Sequence, residues 1–284
     1  MKKVESKQLI DFIRNFFPKL FYSIYDLLRV LPHLKCIKRY EIIRHGKILK
    51  ILGNGSTLRS MLEENFQDGD YMVVNSFVNS EYFCRVKPMY YVVTDRAFWN
   101  SQIGMAIFDK INQIVRWEMY LFVPDTNLCR KTKEIILNPN VKLLYFSPRE
   151  YRGFDIFKYF LYKYKLANPA ICNVLIPSIM TGIHLDYPVI ELYGVEHSWI
   201  KYLIVKEDNV LYSNYPHFYE DGSDKYEKVV DSFGRNVLLH QFLLTYSKVF
   251  ATYFDINTYI KRYKYNVKII NKSKGSYIQA FSRE

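Results

Sequence analysis

The chain has 284 residues and a formal net charge of +12, with 49% hydrophobic and 17% aromatic residues but only 11 glycines and 10 prolines. This composition excludes disordered and fibrous proteins, and the length suits one α/β domain with an appended segment, or two small domains. The 26 tyrosines and 20 phenylalanines can fill a core, line a sugar site or lie at a bilayer interface.

The positive charge is concentrated at one end of the chain. Residues 1–50 contain twelve Lys and Arg against four Asp and Glu, so +8 of the +12 lies there. A nucleic-acid-binding protein more often spreads its basic residues over a groove of the folded domain. The distribution therefore disfavours a nucleic-acid partner and indicates a separate role for the first 50 residues.

The cysteines and the N-terminal residues indicate a cytoplasmic protein. The four cysteines are far apart, without the spacing of metal ligands, and suit reduced, buried thiols: Cys36, Cys84, Cys129 and Cys172. The apolar start is interrupted by Asp11, Arg14 and Pro18 and lacks a cleavage site, so it does not have the pattern of a signal peptide. No window holds the roughly 20 apolar residues of a spanning helix.

Residues 5–33 are predicted to be helical and amphipathic. Apolar side chains recur at helical spacing, and aromatic residues widen their face: Leu9, Ile13, Phe16, Leu20, Ile24, Leu27 and Leu31, with Phe12, Phe17, Phe21, Tyr22 and Tyr25. We expect Pro18 to begin a second helix and Pro32 to end it. Residues 5–46 would then lie on an anionic membrane, where each basic side chain contributes about 1 kcal/mol. The alternative is a helical hairpin packed on the domain.

From residue 42 onwards, short β-type runs alternate with helical stretches. Strands are predicted at 48–52, 71–74, 89–93, 118–123, 142–146, 189–193, 202–205 and 267–270, and helices at 57–62 and near 98–114, 154–165, 171–185 and 234–261. This alternation predicts an α/β fold with a mostly parallel sheet and helices on both faces. Ligands of such sheets lie beyond the carboxyl ends of the strands, so polar residues there are the site candidates.

The first candidate is the loop Gly53-Asn54-Gly55-Ser56, which joins a predicted strand to a predicted helix. Two glycines let the backbone approach an anion, and free N–H groups at a helix start would face a phosphate. The loop lacks the Lys of a P-loop and the third glycine of a dinucleotide-binding loop. The alternative interpretation is a tight structural turn.

Further candidates follow later strands. Asn75, Thr94 and Asp95 stand at two strand ends, where the alternative is a turn former or helix cap. After the strand at 189–193, Gly194 permits close approach, and Glu196 would accept hydrogen bonds from ribose hydroxyls or order a neighbouring loop.

A loop histidine and an acidic pair complete the set of candidates. His217 suits a general base because the ordinary pKa of histidine is close to neutral pH. Asp68-Gly69-Asp70 has the Asp-x-Asp spacing of a metal site, but it precedes a strand and is predicted to be a turn at the wrong edge of the sheet. The sequence therefore predicts no metal site.

Residues 53–58, 74–77, 187–196 and the later His217 follow one another in a recognisable order, and 267–278 has the pattern of a closing strand and loop. This order resembles bacterial sialyltransferases of glycosyltransferase family 42 and related surface-polysaccharide transferases with a Gly-Asn-Gly loop. The resemblance covers roughly residues 47–281 in scattered motifs. Residues 1–46 have no counterpart, so their membrane role rests on their own pattern.

The resemblance implies a single Rossmann-like domain over residues 47–284, a variant of the GT-A fold, with a lid around 200–232. It implies inverting, metal-independent transfer of a sugar from a cytidine monophosphate donor to an oligosaccharide or glycolipid acceptor, without a further cofactor. The donor would contact these residues: Gly53, Asn54, Gly55, Ser56, Asn75, Thr94, Asp95, Asn173, Gly194 and Glu196. His217 would deprotonate the acceptor, with a hydroxyl supplied by Tyr215 or Tyr219. The enzyme would act at the inner face of the membrane.

Departures from the family pattern leave the sugar open. The chain has Ile171-Cys172-Asn173 where the family has Thr-Ser-Gly, and His197-Ser198 where it has aromatic residues. Sialic acid, Kdo or a similar acidic sugar remain candidates, as does a nucleoside diphosphate donor. The alternatives from other classes are a magnesium-dependent pyrophosphokinase with a related Gly-Asn-Gly loop, and a non-enzymatic module that binds anionic lipid or nucleic acid.

Overall fold

A computed structural model describes residues 2–32, 46–63, 69–215, 226–231, 234–263 and 265–284. Of the predicted site, His217, Tyr219 and Asp68 lie outside these residues, as does most of the basic stretch that follows the first helix. The helices are α1 Lys2–Val30, α2 Leu58–Glu63, α3 Phe83–Val86, α4 Ala97–Asn100, α5 Gln102–Ile114, α6 Asn127–Ile135, α7 Asp155–Lys163, α8 Leu175–His184 and α9 Leu239–Arg262, with 3-10 turns at Asn75–Asn79 and Trp199–Tyr202. The strands are β1 Ile48–Leu52, β2 Asp70–Val74, β3 Tyr90–Val92, β4 Met119–Pro124, β5 Val141–Phe146, β6 Val189–Tyr193, β7 Leu203–Val205, β8 Leu211–Ser213, β9 Glu227–Lys228 and β10 Lys268–Asn271.

Seven strands form one parallel sheet in the order β10-β6-β1-β2-β3-β4-β5. The prediction of an α/β fold with a mostly parallel sheet is confirmed. The chain runs outward from β1 to β5 and then returns to place β6 on the other side of β1. Parallel sheets bind ligands where the strand order reverses in this way, beyond the carboxyl ends. The loops after β1 and β6 therefore define the expected site.

Both faces of the sheet are covered, because alternate strand residues point to opposite sides. On β2, Met72 and Val74 belong to a core that includes residues of α1 and α7–α9, whereas Val73 belongs to a second core that includes residues of α2, α3, α5 and α6. The sheet is thus held rigidly between two helical layers. Its strand ends can present polar groups in fixed positions.

The first helix differs from the expectation. The prediction that Pro18 begins a second helix is wrong, since α1 is continuous and contains Pro18. Proline removes one helical hydrogen bond and usually destabilises a helix interior by about 3 kcal/mol. Pro18 lies on the exposed side, where water can satisfy the carbonyl that loses its partner.

One face of α1 packs on the domain around a buried carboxylate. Asp26 is 1% exposed and accepts hydrogen bonds from Arg152 Nη2 at 2.8 Å, Nε at 3.2 Å and the backbone N–H at 2.9 Å. Ser23 Oγ accepts from the N–H of Phe154 at 3.0 Å, and Val30 joins the core. Breaking such a buried pair by removing one partner is strongly destabilising, so this contact fixes α1 on the domain.

The opposite face of α1 is apolar and exposed. Phe17, Phe21 and Leu28 are 62%, 64% and 61% exposed. The apolar residues predicted to form one face divide between two, because Phe16 and Leu27 are partly buried whereas Leu20 and Ile24 are exposed. None of the helices in the described part of the chain is long and apolar enough to cross a bilayer.

A second, smaller sheet lies outside the parallel one. The strand predicted at 202–205 is β7, which pairs antiparallel with β8, and β8 pairs with β9. This strand is therefore not part of the parallel sheet. The turn that joins β7 to β8 contains a left-handed residue, Asn209, with φ 58°. Such a turn returns the chain antiparallel to itself rather than across the main sheet.

Candidate functional site

A cleft of about 170 Å³ opens where the strand order reverses. Its lining comes from the loops after β1, β2 and β6, the start of α8 and the segment after β8: Gly53, Asn54, Gly55, Val74, Asn75, Asn173, Val174, Leu175, Gly194, Val195, His197, Trp199 and Tyr215. Seven of the predicted site residues are brought together here: Gly53, Asn54, Gly55, Asn75, Asn173, Gly194 and Tyr215. Among these described lining residues there is no lysine, arginine or carboxylate.

The glycines of the first loop are required by the neighbouring loop. The N–H of Gly53 donates to the carbonyl of Tyr193, and that of Gly55 to the carbonyl of Gly194, both at 2.8 Å. A Cβ on Gly53 would overlap the Gly194 carbonyl, and one on Gly55 would overlap the Glu196 carboxylate. The N–H groups of both glycines therefore hold the loops together, contrary to the expectation that they face a phosphate.

Glu196 is buried, and its carboxylate lies at the start of α2. Its Oε1 accepts from the N–H of Thr57 at 2.8 Å and from the Thr57 hydroxyl, and its Oε2 accepts from the Tyr215 hydroxyl at 3.3 Å. A carboxylate is favourable at a helix start because it satisfies free N–H groups. Of the two roles expected from the sequence, the structure gives Glu196 the ordering of a neighbouring loop.

The β6 loop is held by the segment after β10. Ser273 Oγ accepts from the N–H of Val195 at 2.9 Å, and Ser276 Oγ donates to the Val195 carbonyl at 2.8 Å. The N–H of Tyr277 donates to the Glu196 carbonyl at 2.7 Å. Gly194 has φ 62°, a conformation that glycine adopts without strain. The segment after β10, a strand that the sequence predicted at 267–270, thus positions the cleft wall.

Asn75 presents an unusual polar group to the cleft. Its Oδ1 is buried and has no hydrogen-bond partner among the described residues. The backbone of Asn75 is left-handed, with φ 49°, and its carbonyl accepts from the Tyr91 hydroxyl. Buried polar groups are nearly always hydrogen-bonded, and strained backbone is common at ligand sites. Asn75 therefore presents to the cleft a buried acceptor that a ligand can use.

A hydrogen-bonded chain of three side chains borders the cleft. Asn173 Nδ2 donates to the Tyr253 hydroxyl at 2.9 Å, and that hydroxyl lies 3.1 Å from His197 Nδ1. Tyr253 is fully buried on α9. His197 has φ 47° and is 8% exposed, and burial lowers its pKa to about 3. The imidazole is therefore neutral at ordinary pH.

Aromatic rings form one wall of the cleft. Trp199 stacks on His197 with ring centroids 4.1 Å apart and also contacts Tyr246 at 4.4 Å. Tyr215 contacts Trp199 at 6.1 Å, and burial together with Glu196 raises the pKa of the Tyr215 hydroxyl. The phenol stays protonated and serves as a hydrogen-bond donor.

The structure does not bring the remaining predicted residues to the cleft. Asp95 is exposed and accepts from the N–H of Ala97 at 2.9 Å, so its carboxylate starts α4 instead of lining the cleft. Thr94 and Ser56 also lie outside the lining. Asp70 begins β2 at the opposite edge of the sheet, where it accepts from the N–H of Gly46 and the Tyr187 hydroxyl.

Several contributors to the site have no signal in the sequence. Tyr253 comes from a helix far along the chain, and Trp199 and Leu175 belong to patterns typical of packing. In the sequence His197 is only a departure from the family pattern, and its left-handed backbone and its partners distinguish it in the structure. Across the described residues, no three His, Cys, Asp or Glu side chains lie close enough together to hold a metal ion.

The low pKa of His197 predicts a loss of stability in acid. The unfolded chain binds a proton near pH 6.5, whereas the folded protein does so only near pH 3, so the free energy of unfolding falls as the pH decreases between these values. We expect His197 to make the protein about 2 kcal/mol less stable at pH 5 than at pH 7. Urea unfolding of the wild type and of His197→Asn at both pH values measures this difference.

His184 is an internal control for that measurement. Burial also lowers its pKa to about 3, so it titrates in both proteins and cancels in the comparison. Equal pH dependence of the wild type and His197→Asn would show that the His197 ring is protonated without loss of folding.

Comparison of the chain with family models, with curated proteins and with solved structures gave no match.

Proposed function

We propose that this protein is an inverting glycosyltransferase that moves a sugar from a nucleotide donor, CMP-linked in the leading form of the proposal, to a surface polysaccharide or glycolipid. Sialic acid, Kdo or a similar acidic sugar fits the resemblance. The proposal treats the parallel sheet as a Rossmann-like domain of the GT-A variant. The small sheet β7–β9 would belong to its lid.

One observation carries the proposal: the buried Oδ1 of Asn75, without a partner among the described residues, in a cleft at the reversal of strand order. An amide oxygen there accepts a hydrogen bond from a hydroxyl or amino group. Nucleosides and sugars carry such groups in abundance. Asn54 lies beside it, with Nδ2 3.5 Å from the Val74 carbonyl. Two amides at neighbouring strand ends suit a polar, uncharged part of the ligand.

The remaining roles follow from the contacts. Because the N–H groups of Gly53 and Gly55 are engaged and the Tyr215 hydroxyl donates to Glu196, the donor phosphate would be stabilised by side-chain amides. Glu196 would act by holding the loop and Tyr215 in place. His217 would accept the proton of the acceptor hydroxyl as it attacks the anomeric carbon and the nucleotide leaves. Tyr219 would be a further hydroxyl donor. His217 and Tyr219 enter from the resemblance.

The proposal is tested by nucleotide binding to the wild type and to Asn75→Gly. Glycine keeps the left-handed backbone without strain and removes only the amide. We expect CMP to stabilise the wild type by about 2.7 kcal/mol at 100 times its Kd, and the variant to bind about 5–10-fold more weakly, the usual range for one hydrogen bond. Thermal shift and calorimetry with CMP, UDP, GDP and ATP with magnesium measure both.

Asn209→Gly is the matched control, because Asn209 is also left-handed but is exposed in the turn before β8. It should bind nucleotide like the wild type. If CMP, UDP and GDP all fail to bind the wild type, the glycosyltransferase proposal fails. Magnesium-dependent release of AMP from ATP would support the pyrophosphokinase alternative instead.

We also propose that α1 lies on an anionic membrane, at the inner leaflet where acceptors of this class are extended. The exposed face with Phe17, Phe21 and Leu28 is the apolar side of an interfacial helix, and residues 1–50 carry +8. The two alternatives in the sequence combine here, since one face packs on the domain while the other remains available to lipid.

Flotation with vesicles containing phosphatidylglycerol tests the membrane contact. Changing Phe17, Phe21 and Leu28 together to Gln should reduce the bound fraction at least tenfold, because each buried apolar side chain contributes about 1.5–3 kcal/mol. Changing Ile103, which is 85% exposed on α5, to Gln should have no effect. Unchanged binding of the triple variant would place the membrane contact elsewhere.

A further inference from the structure

The hydrogen bonds around His197 run in one direction. Asn173 Oδ1 accepts from the N–H groups of Leu175 at 3.0 Å and Ile176 at 3.3 Å, so the amide orientation is fixed by the start of α8. Its Nδ2 must then donate to the Tyr253 hydroxyl. The phenol oxygen accepts that bond. Because Tyr253 is fully buried, its own proton needs an acceptor, and among the described residues that acceptor is His197 Nδ1 at 3.1 Å.

This direction determines which nitrogen of the imidazole carries the proton. Nδ1 is an acceptor, so a neutral His197 has its proton on Nε2. Nε2 has no hydrogen-bond partner among the described residues, whereas His197 is one of the residues lining the cleft. The ring contacts two aromatic side chains, Trp199 at 4.1 Å and Tyr253 at 5.7 Å between centroids. A single N–H donor is thus immobilised at the cleft wall.

The backbone supports a role beyond packing. His197 adopts a left-handed conformation, with φ 47°, which destabilises a non-glycine residue unless the surroundings require it. Glu196 is bound to Thr57, and Trp199 packs against Tyr246 in the aromatic wall. The left-handed backbone of His197 connects these two fixed residues. Fixed donors of this kind bind ligands with little loss of side-chain entropy.

We propose that His197 recognises the bound nucleotide sugar by donating its Nε2–H to an oxygen of the ligand, with Tyr253 and Asn173 as positioning residues. The identity of the ligand rests on the proposed function, whereas the protonation of His197 Nε2 does not. The position also coincides with the departure from the aromatic residues of the resembling family. His197 would therefore contribute to the choice of donor.

Two substitutions at position 197 separate the nitrogen that faces Tyr253 from the nitrogen that faces the cleft. His197→Asn retains an acceptor for the Tyr253 hydroxyl and tolerates the left-handed backbone, but it lacks the outer donor. His197→Gln places an amide donor further out. With CMP as the probe, we expect the Asn variant to bind about 5–10-fold more weakly, the usual range for one hydrogen bond, and the Gln variant to lie within about threefold of the wild type.

Imidazole nitrogen NMR of the wild type provides a readout that a purely structural histidine would not predict. The expected spectrum shows Nε2 protonated and Nδ1 bare, and Tyr253→Phe should produce a mixture of the two tautomers. An Nδ1–H signal in the wild type, or unchanged CMP affinity in His197→Asn, would overturn the inference. If the wild type binds no nucleotide, the proposed function fails separately, and an Nε2–H signal still supports the donor at the cleft.

Discussion

Replacing Gly55 with Ala is expected to lower the free energy of unfolding by about 3 kcal/mol, at the upper end of the usual effect of overpacking. The new Cβ would overlap the Glu196 carboxylate and lie 2.8 Å from the Gly194 carbonyl. Neither can move easily, because Glu196 is bound to Thr57 and the Gly194 carbonyl accepts from the Gly55 N–H. Urea unfolding measures the change, and nucleotide binding should be lost with it.

Substitutions at two further glycines separate the cost of a left-handed backbone from the cost of overpacking. Gly194→Ala combines φ 62° with a Cβ that would lie 2.8 Å from Leu58 Cβ, whereas Gly275→Ala has φ 67° and no atom within 4 Å. We expect Gly275→Ala to cost about 1 kcal/mol from conformation alone. Gly194→Ala should cost more. Similar stability of all three variants would show that the loops do not need their close approach.

His217→Ala is expected to reduce the transfer rate by about 10²–10⁴-fold, the usual contribution of a general base. In an inverting reaction, the acceptor hydroxyl must lose its proton as it attacks, and the imidazole is suited to accept it near neutral pH. Binding of the donor nucleotide should change little, because the base acts on the acceptor. Product formation under saturating donor and acceptor measures the rate.

His240→Ala is the matched control for this experiment, since His240 is exposed on α9. It should transfer at the wild-type rate. Full activity of His217→Ala would remove the assignment of the base while leaving the donor site to be judged by nucleotide binding. A parallel loss of nucleotide binding would instead indicate that His217 supports the site structurally.

The parallel sheet could be predicted because its strands are short apolar runs that end in turn-forming residues. The run at 189–193 matches β6 in both bounds, and Gly194 ends it where φ becomes positive. The strand at 202–205 has the same local pattern but pairs antiparallel in a separate sheet. Local sequence determines extended conformation, whereas pairing depends on partners elsewhere in the chain. Helix bounds have the same limit, because Pro18 predicts a helix start locally but lies inside the continuous α1.

Site residues could be predicted from the sequence where they directly follow a strand of the parallel sheet. Asn75 and the glycine loop lie in the cleft because parallel strands end at the same edge. Asp95 satisfies the same rule but turns its carboxylate to the N–H of Ala97, a local bond that the sequence equally allowed. Tyr253 was not predictable as a site residue, since an aromatic residue at helical spacing gives no indication of a partner from β6.

The uncharged lining of the cleft has a consequence for how ionic strength acts on the molecule. The described lining residues include no lysine, arginine or carboxylate, so ligand binding there depends on short-range hydrogen bonds that salt screens little. The proposed binding of the basic N-terminal segment to anionic lipid depends in part on long-range electrostatic attraction, which falls off within about 10 Å in 0.1 M salt. Concentrated salt should therefore weaken the proposed binding to an anionic membrane while changing nucleotide binding little.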